Sequence, residues 1–236
     1  MADPVPALVT LHVWGVPRRA VPAAALAMGR ERRPVRRTPG LRFAKLLGTG
    51  DGRTFTVRDA DPYHWGLLAT WGDADAAAAF EASAVVRRWD ARAHERLRVA
   101  MTPLTSTGRW AGQQPFGDPV PRRYDGPVAA LTRARLRARQ ARRFWRAVPP
   151  VSSVLRASPG LLLALGIGEA PVGLQGTFSV WESAGALRDF AHGSPEHRRV
   201  IAQTHEVGWY AEELFARFAV VSAVGSLGVT HLDLEA

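Results

Sequence analysis

The sequence predicts an α+β fold in which two tandem half-domains of ferredoxin-like order, β-α-β-β-α-β, face each other through their sheets. This is a dimeric α+β barrel made within one chain. Three repeated passages point to it. Trp71-Gly-Asp-Ala-Asp-Ala-Ala-Ala-Ala-Phe80 returns as Trp181-Glu-Ser-Ala-Gly-Ala-Leu-Arg-Asp-Phe190, with Trp and Phe at the same separation. Thr38-Pro39-Gly40 before an apolar run returns as Ser158-Pro159-Gly160 before another. Ser83-Ala-Val-Val86-Arg87-Arg88 aligns, after one inserted residue, with Ser194-Pro-Glu-His197-Arg198-Arg199, so that Val86 stands where the second copy has His197.

Each element has its own signal. Ala7 to Trp14 is dense in β-branched and aromatic residues and reads as a buried strand, ended by Gly15-Val-Pro17. Val21 to Arg33 is compatible with a helix. Leu41 to Leu47 is the next strand, stopped by Gly48-Thr-Gly50-Asp-Gly52, and Trp65 to Trp71 is the third. Asp73 caps a helix built from the strong helix formers of Ala74 to Phe80. Helix is expected to continue over Arg87 to Arg98, with Val99 to Thr107 closing the unit as a strand. Gln113 to Gly126, rich in Pro and Gly, reads as a linker. The order then restarts with a strand over Val128 to Arg133, a helix over Ala138 to Ala147 ended by Pro149-Pro150, strands over Leu161 to Ile167 and Thr177 to Trp181, and a last strand over Phe218 to Val224. The expected division is a first half over 1–112, a linker over 113–127 and a second half over 128–236.

Composition narrows the function. With 236 residues, 47% hydrophobic and 22% charged, the chain has the make-up of a soluble globular protein able to bury a sizeable core. No apolar run reaches the ~18 residues of a membrane span, and Met1-Ala-Asp-Pro-Val-Pro lacks the features of a signal peptide, so a cytoplasmic location is expected. The formal charge of +10 comes almost wholly from arginine, since Lys45 is the one lysine. The arginines between Arg133 and Arg146 read first as a solvated basic face, which could also meet the inner surface of a membrane. No zinc-finger spacing or aromatic RNP pattern accompanies them, and nucleic acid is not an expected partner. The absence of cysteine excludes disulfides, thiolate-bound metal and thiol nucleophiles in one step, leaving histidine, carboxylate or tyrosine to hold any metal. There is no Gly-x-Ser-x-Gly elbow, and Gly48-Thr-Gly50-Asp-Gly52 lacks the Gly-Lys-Ser/Thr of a phosphate loop.

One constellation stands out. In Ser194-Pro195-Glu196-His197 the serine fits an N-cap, the proline the first helical position and the glutamate the favourable first turn. His197 is then set in the first turn of a helix, with His205 two turns on along the same face. A histidine so placed serves either as a hydrogen-bonded surface residue or as an iron ligand, and the residues alone leave both open. His205 aligns with His94 of the first half and is the weaker candidate for a unique site.

Several runs carry a resemblance to the spheroidene monooxygenase family, the acyclic carotenoid 2-ketolases: Phe43-Ala-Lys45-Leu-Leu-Gly48, Gly108-Arg-Trp110, Pro127 to Ala134, Gly166 to Pro171, Thr177 to Trp181, and above all Trp209-Tyr-Ala-Glu212-Glu213-Leu-Phe-Ala-Arg217-Phe218. The resemblance implies a monooxygenase using haem b and acting on an extended apolar substrate such as an acyclic carotenoid. It implies His197 as the axial iron ligand; position 205 is not usually histidine in the family, and His205 stands only as the fallback. Beside it, Trp181 and Trp209 are candidates for haem-wall or core aromatics, and Arg133 for a donor to bound oxygen or a haem propionate or for a surface salt bridge. O2 or peroxide and an electron donor such as a ferredoxin are the implied partners, with membrane-surface contact and homo-oligomers compatible with the scaffold. Two alternatives stay open: a haem enzyme of the same fold acting on a smaller metabolite, and a non-catalytic haem- or ligand-binding barrel. The chain departs from the family by Gly225-Ser226-Leu227, where a second Gly-x-Trp is usual.

Overall fold

The computed structural model describes residues 3–50, 59–136, 155–169, 174–193 and 210–235. Along these, the order is β1 (Leu8–Gly15), α1 (Val21–Arg30), α2 (Arg32–Arg36), β2 (Leu41–Gly50), β3 (Ala60–Trp71), α3 (Ala74–Glu81), α4 (Ala84–Asp90), β4 (Glu95–Gly108), then β5 (Val128–Leu136), β6 (Leu161–Gly168), β7 (Leu174–Trp181), α5 (Ala184–Gly193), β8 (Tyr210–Leu227) and β9 (Thr230–Glu235). The strands hydrogen-bond in the order β4-β1-β3-β2-β6-β7-β5-β8-β9, and a further β4–β8 ladder closes the first eight into a barrel. Every ladder is antiparallel. Two seams join the halves, β2 with β6 and β4 with β8. Closure removes the sheet edges that each half alone would expose.

The repeat read from the sequence is a repeat of structure. Trp71 pairs with Leu8 on β1 and with Leu41 on β2; Trp181 pairs with Val128 on β5 and with Leu161 on β6. A bulge follows Leu41 and another follows Leu161. Trp71 meets Phe80 with ring centroids 5.1 Å apart, and Trp181 meets Phe190 at 5.2 Å. Gly40 and Gly160 both take positive φ, 72° and 76°, and their carbonyls accept from Gly72 N and Glu182 N, each at 2.9 Å. A Cβ on either glycine would press on the facing helix, 2.3 Å from Ala76 Cβ or 2.7 Å from Ala186 Cβ. The turn therefore demands glycine twice over, by conformation and by close approach.

Alternation along the strands sorts side chains into two layers. The barrel interior holds Val9, Leu11, Val13, Leu97, Val99, Met101, Ala129, Leu131, Phe178, Leu214, Ala216 and Phe218, among others. The outer face of the first half is packed beneath α1 to α4 by Trp14, Leu67, Trp71, Phe80, Val86 and Trp89. Asp73 accepts from Ala76 N at 2.6 Å and caps α3 as expected, and Ser83 caps α4 through Val86 N at 3.3 Å.

Several boundaries differ from the sequence reading. Helix was expected over Arg87 to Arg98, but α4 ends at Asp90 and β4 begins at Glu95. The helix formers there are overruled by the ladder to β1, which buries Leu97, Val99 and Met101 at alternate positions. The glycines expected to stop β2 are part of it, since Gly48, Thr49 and Gly50 pair with Gly168, Ile167 and Gly166 across the seam. The last strand of the second half runs over 18 residues, far beyond Phe218 to Val224, because it serves β4, β5 and β9 in turn. The strand β9 had no expectation. The helix expected over Ala138 to Ala147 lies outside the described residues.

Candidate functional site

The ladders give a position-by-position comparison of the two outer faces. On β1 and β5, His12 corresponds to Thr132 and Trp14 to Ala134; on β3 and β7, Leu67 corresponds to Thr177 and Ala69 to Ser179; on β2 and β6, Leu46 corresponds to Gly166. Four of these five positions lose volume in the second half, and Ala69 to Ser179 changes little. In the first half the layer is solid: Trp14 stacks on His12 at 5.3 Å and on Trp89 at 5.4 Å. In the second half the same sheet face carries Ala130, Thr132, Ala134, Gly166, Thr177 and Ser179. A large aromatic, Phe215, stands beside Thr132 on β8 and is 42% exposed. This face is a floor of small side chains where the other half carries large ones.

Behind that floor, inside the barrel, lies a charged network. Arg133 is 4% exposed on β5, one step beyond Leu131 on the interior face. Its Nη1 donates to Glu212 on β8 and its Nη2 to Glu169, after β6, at 3.1 Å. Glu169 also accepts from Lys45 Nζ at 2.7 Å and from Trp110 Nε1 at 2.6 Å. Glu212 accepts the backbone N–H groups of Ala111 at 3.0 Å and Gly112 at 2.8 Å, fixing the turn after β4. The Arg133 guanidinium lies over the Trp110 ring, 5.5 Å from its centroid. Burial works against the ionised form of both glutamates, yet the donors outweigh it: Lys45 and Trp110 hold Glu169 below the usual carboxylate range, and Gly112 and Ala111 with Arg133 do so for Glu212. Within the Arg133 guanidinium, Nε has no partner among the described residues.

These two places divide the residues singled out from the sequence. Arg133 faces the barrel interior. Trp181 is fully buried on the opposite face of the sheet, packed with Leu104, Val128 and Leu187 beneath α5, its Nε1 donating to Ser179 Oγ at 3.0 Å. Arg133 and Trp181 therefore do not share a site. His197, His205 and Trp209 lie outside the described residues. Lys45, Glu169, Glu212 and Trp110 were not singled out as site residues from the sequence; the signal was the placement of Arg133 at an interior position of β5, which requires buried counter-charges.

No group of three or more His, Asp or Glu suited to a metal ion occurs among the described residues. His12 is fully buried and accepts from Arg96 at Nδ1, 3.0 Å away; burial first, then Arg96 and Arg98, hold its pKa well below the ordinary value and keep it neutral. His64 is gripped by Asp61 at Nδ1, 2.5 Å, and by Glu95 at Nε2, 2.8 Å. Both ring nitrogens of His64 are thus engaged, whereas Nε2 of His12 has no hydrogen-bond partner among the described residues and lies 3.5 Å from Glu81, within the first-half layer. The floor itself offers no histidine, carboxylate or tyrosine that could hold an iron centre.

An eight-stranded antiparallel barrel built from two duplicated halves, with helices packed outside it, defines this chain as a dimeric α+β barrel protein. Solved structures agree: one aldoxime dehydratase aligns over 93% of this chain and 83% of its own with a TM-score of 0.63 at 14% identity. A second, in complex with butyraldoxime, aligns over 93% and 81% with a TM-score of 0.62 at 13%. Identity that low shows the fold alone. Among curated proteins, the chain is 37% identical over 201 residues to the spheroidene monooxygenase of Rhodobacter capsulatus, covering 83% of this chain and 82% of that protein. It is 40% identical over 189 residues to that of Rubrivivax gelatinosus, covering 79% and 72%. It is 34% identical over 189 residues to that of Cereibacter sphaeroides, covering 79% and 58%. No family model matches the chain. The chain belongs to the spheroidene monooxygenase family.

Proposed function

We propose that the protein is a haem-dependent monooxygenase that oxidises an extended apolar substrate, an acyclic carotenoid, on the second half of the barrel. O2 is the oxidant and a small electron-transfer protein such as a ferredoxin the reductant. Family membership supports the reaction class. The observation that carries the location is the one-sided loss of bulky side chains, with Trp14, His12, Leu46 and Leu67 answered by Ala134, Thr132, Gly166 and Thr177.

In this proposal His197 holds the iron and Trp209 adds an aromatic wall. When bound, haem supplies an iron centre able to take up O2 and single electrons. The chain's own residues do the rest. Phe215 and the small side chains of β5, β6 and β7 give apolar contact and exclude water. Trp181 closes the layer at the strand ends by packing on Phe190. Arg133 acts as a positioning residue from behind, pinning β5 to β8 through Glu212 and to the end of β6 through Glu169.

The test is the absorption spectrum of the purified chain with added haemin. A Soret band is expected for the native chain and for His205→Ala, and its loss for His197→Ala. No band after reconstitution, or a band lost in His205→Ala and kept in His197→Ala, overturns the assignment. With haem loaded, an acyclic carotenoid in detergent should gain a conjugated keto group under O2 and reductant, read as a red shift of the polyene absorption.

A further inference from the structure

Away from both places, the strap of residues 122–125 and the start of α5 enclose a cavity of about 550 Å³, within the range of small-ligand sites. Its floor is apolar: Leu104 on β4, Val128 on β5 and Leu187 on α5 meet there beside Trp181. Its rim is cationic, formed by Arg122, Arg123, Arg188 and Arg217. The one carboxylate lining it, Asp125, is held by Arg123 at 3.0 Å. Arg122 donates to Thr102 Oγ1 at 3.1 Å. Arg188 and Arg217 have no partner among the described residues.

Comparison with the first half shows that this charge belongs to one half only. Asp73 corresponds to Ser183, and Ala78 to Arg188, by the Trp71 and Trp181 passages. Ala100, opposite Thr10, corresponds to Arg217, opposite Ala130. One acidic side chain is lost and two cationic ones are gained around a single cavity. Two valines flank it with their side chains in solvent: Val120, 84% exposed, just before the strap, and Val221, 39% exposed, on the same face of β8 as Arg217.

We infer that this cavity binds an amphiphile with one anionic head group, phosphate or carboxylate, its head on Arg188 and Arg217 and its chain on Leu104, Val128 and Leu187. Such a molecule is either a lipid of an anionic membrane surface or a free single-chain amphiphile; the chemistry recognised is the same. The inference does not rest on the haem reading, and it is tested without added haemin.

The full-length chain is titrated calorimetrically with dodecyl phosphate below its micelle concentration, with inorganic phosphate, and with the neutral dodecyl maltoside. Dodecyl phosphate should bind more tightly than either of the others and weaken with salt. Arg188→Gln with Arg217→Gln should weaken it by about 25-fold, at about fivefold for each arginine facing an anionic surface. The control Arg18→Gln with Arg19→Gln, which removes the same charge elsewhere on the surface, should leave it unchanged. Equal binding of the neutral amphiphile, or an equal loss in the control, overturns the inference. Co-sedimentation with phosphatidylglycerol vesicles, lost in the Arg188/Arg217 double variant and absent with phosphatidylcholine, identifies the source as a membrane lipid. Binding of dodecyl phosphate without co-sedimentation identifies a free amphiphile.

Discussion

Replacing Glu169 by Gln is the sharpest probe of the barrel interior. Three donors converge on this carboxylate, Arg133 Nη2, Lys45 Nζ and Trp110 Nε1, from three separate stretches of chain. Glutamine keeps the shape but removes the charge, and its amide turns one accepting atom into a donor facing cations. Arg133 retains Glu212, whereas Lys45 loses its one ion-pair partner among the described residues. Breaking a buried pair from one side costs about 3–5 kcal/mol. The Glu169 side chain keeps 17% exposure and Lys45 22%, so water relieves part of the loss and the lower end, about 3 kcal/mol, is expected. At about 2–4 °C per kcal/mol for a chain of this size, Tm should fall by roughly 6–12 °C. The assay is urea unfolding followed by tryptophan fluorescence, run also for Lys45→Met and for the double variant. The double variant should recover part of the stability lost in Glu169→Gln, because the stranded ammonium is gone. Strict additivity, or a loss below about 0.5 kcal/mol for Glu169→Gln, would refute the claim that this network is a coupled unit.

Three further outcomes follow from the geometry. Asp61 first of all, and also Glu95, raises the pKa of His64, so its contribution is fully present below the unfolded value of about 6.5 and is lost as pH rises through the higher folded value; the depressed Glu169 and Glu212 contribute above about 4.3 and fade as pH falls through their folded values. His64→Gln should therefore flatten the alkaline side of a stability-versus-pH curve and, because His64 is also the main group holding the Asp61 carboxyl below its ordinary range, weaken the acid-side dependence as well. Gly160→Ala should cost about 2–4 kcal/mol through its positive φ and the contact with Ala186, whereas Gly112→Ala, with positive φ but open space, should cost only about 1–2 kcal/mol; equal losses at the two sites, measured by chemical denaturation, would contradict the close-approach account. Refilling the second-half floor with the first half's residues, Thr132→His with Ala134→Trp, should leave a folded chain by circular dichroism while reducing haemin uptake at least tenfold, about 1.4 kcal/mol; unchanged uptake would remove the haem from this face.

The duplicated frame was legible in the amino-acid order alone. Its signals are local: a Pro-Gly turn before each β2-type strand, a Trp at the end of each β3-type strand and a Phe nine residues later, all within reach of short-range sterics and alternation. Helix capping by Asp73 was equally legible, since the contact spans three residues. The start of β4 was not, because arginine and alanine favour helix until a partner strand buries Leu97 and Val99. Only the tertiary structure could place the charged network, whose members stand far apart in sequence, Lys45 and Glu169 by 124 positions and Arg133 and Glu212 by 79. The same holds for the contrast between the two outer faces. Trp14 and Ala134 are unremarkable singly; they become informative when the ladders set them at equivalent positions, an indole in one half and a methyl group in the other, because volume in a packed interior is fixed by what all the neighbouring strands contribute at once.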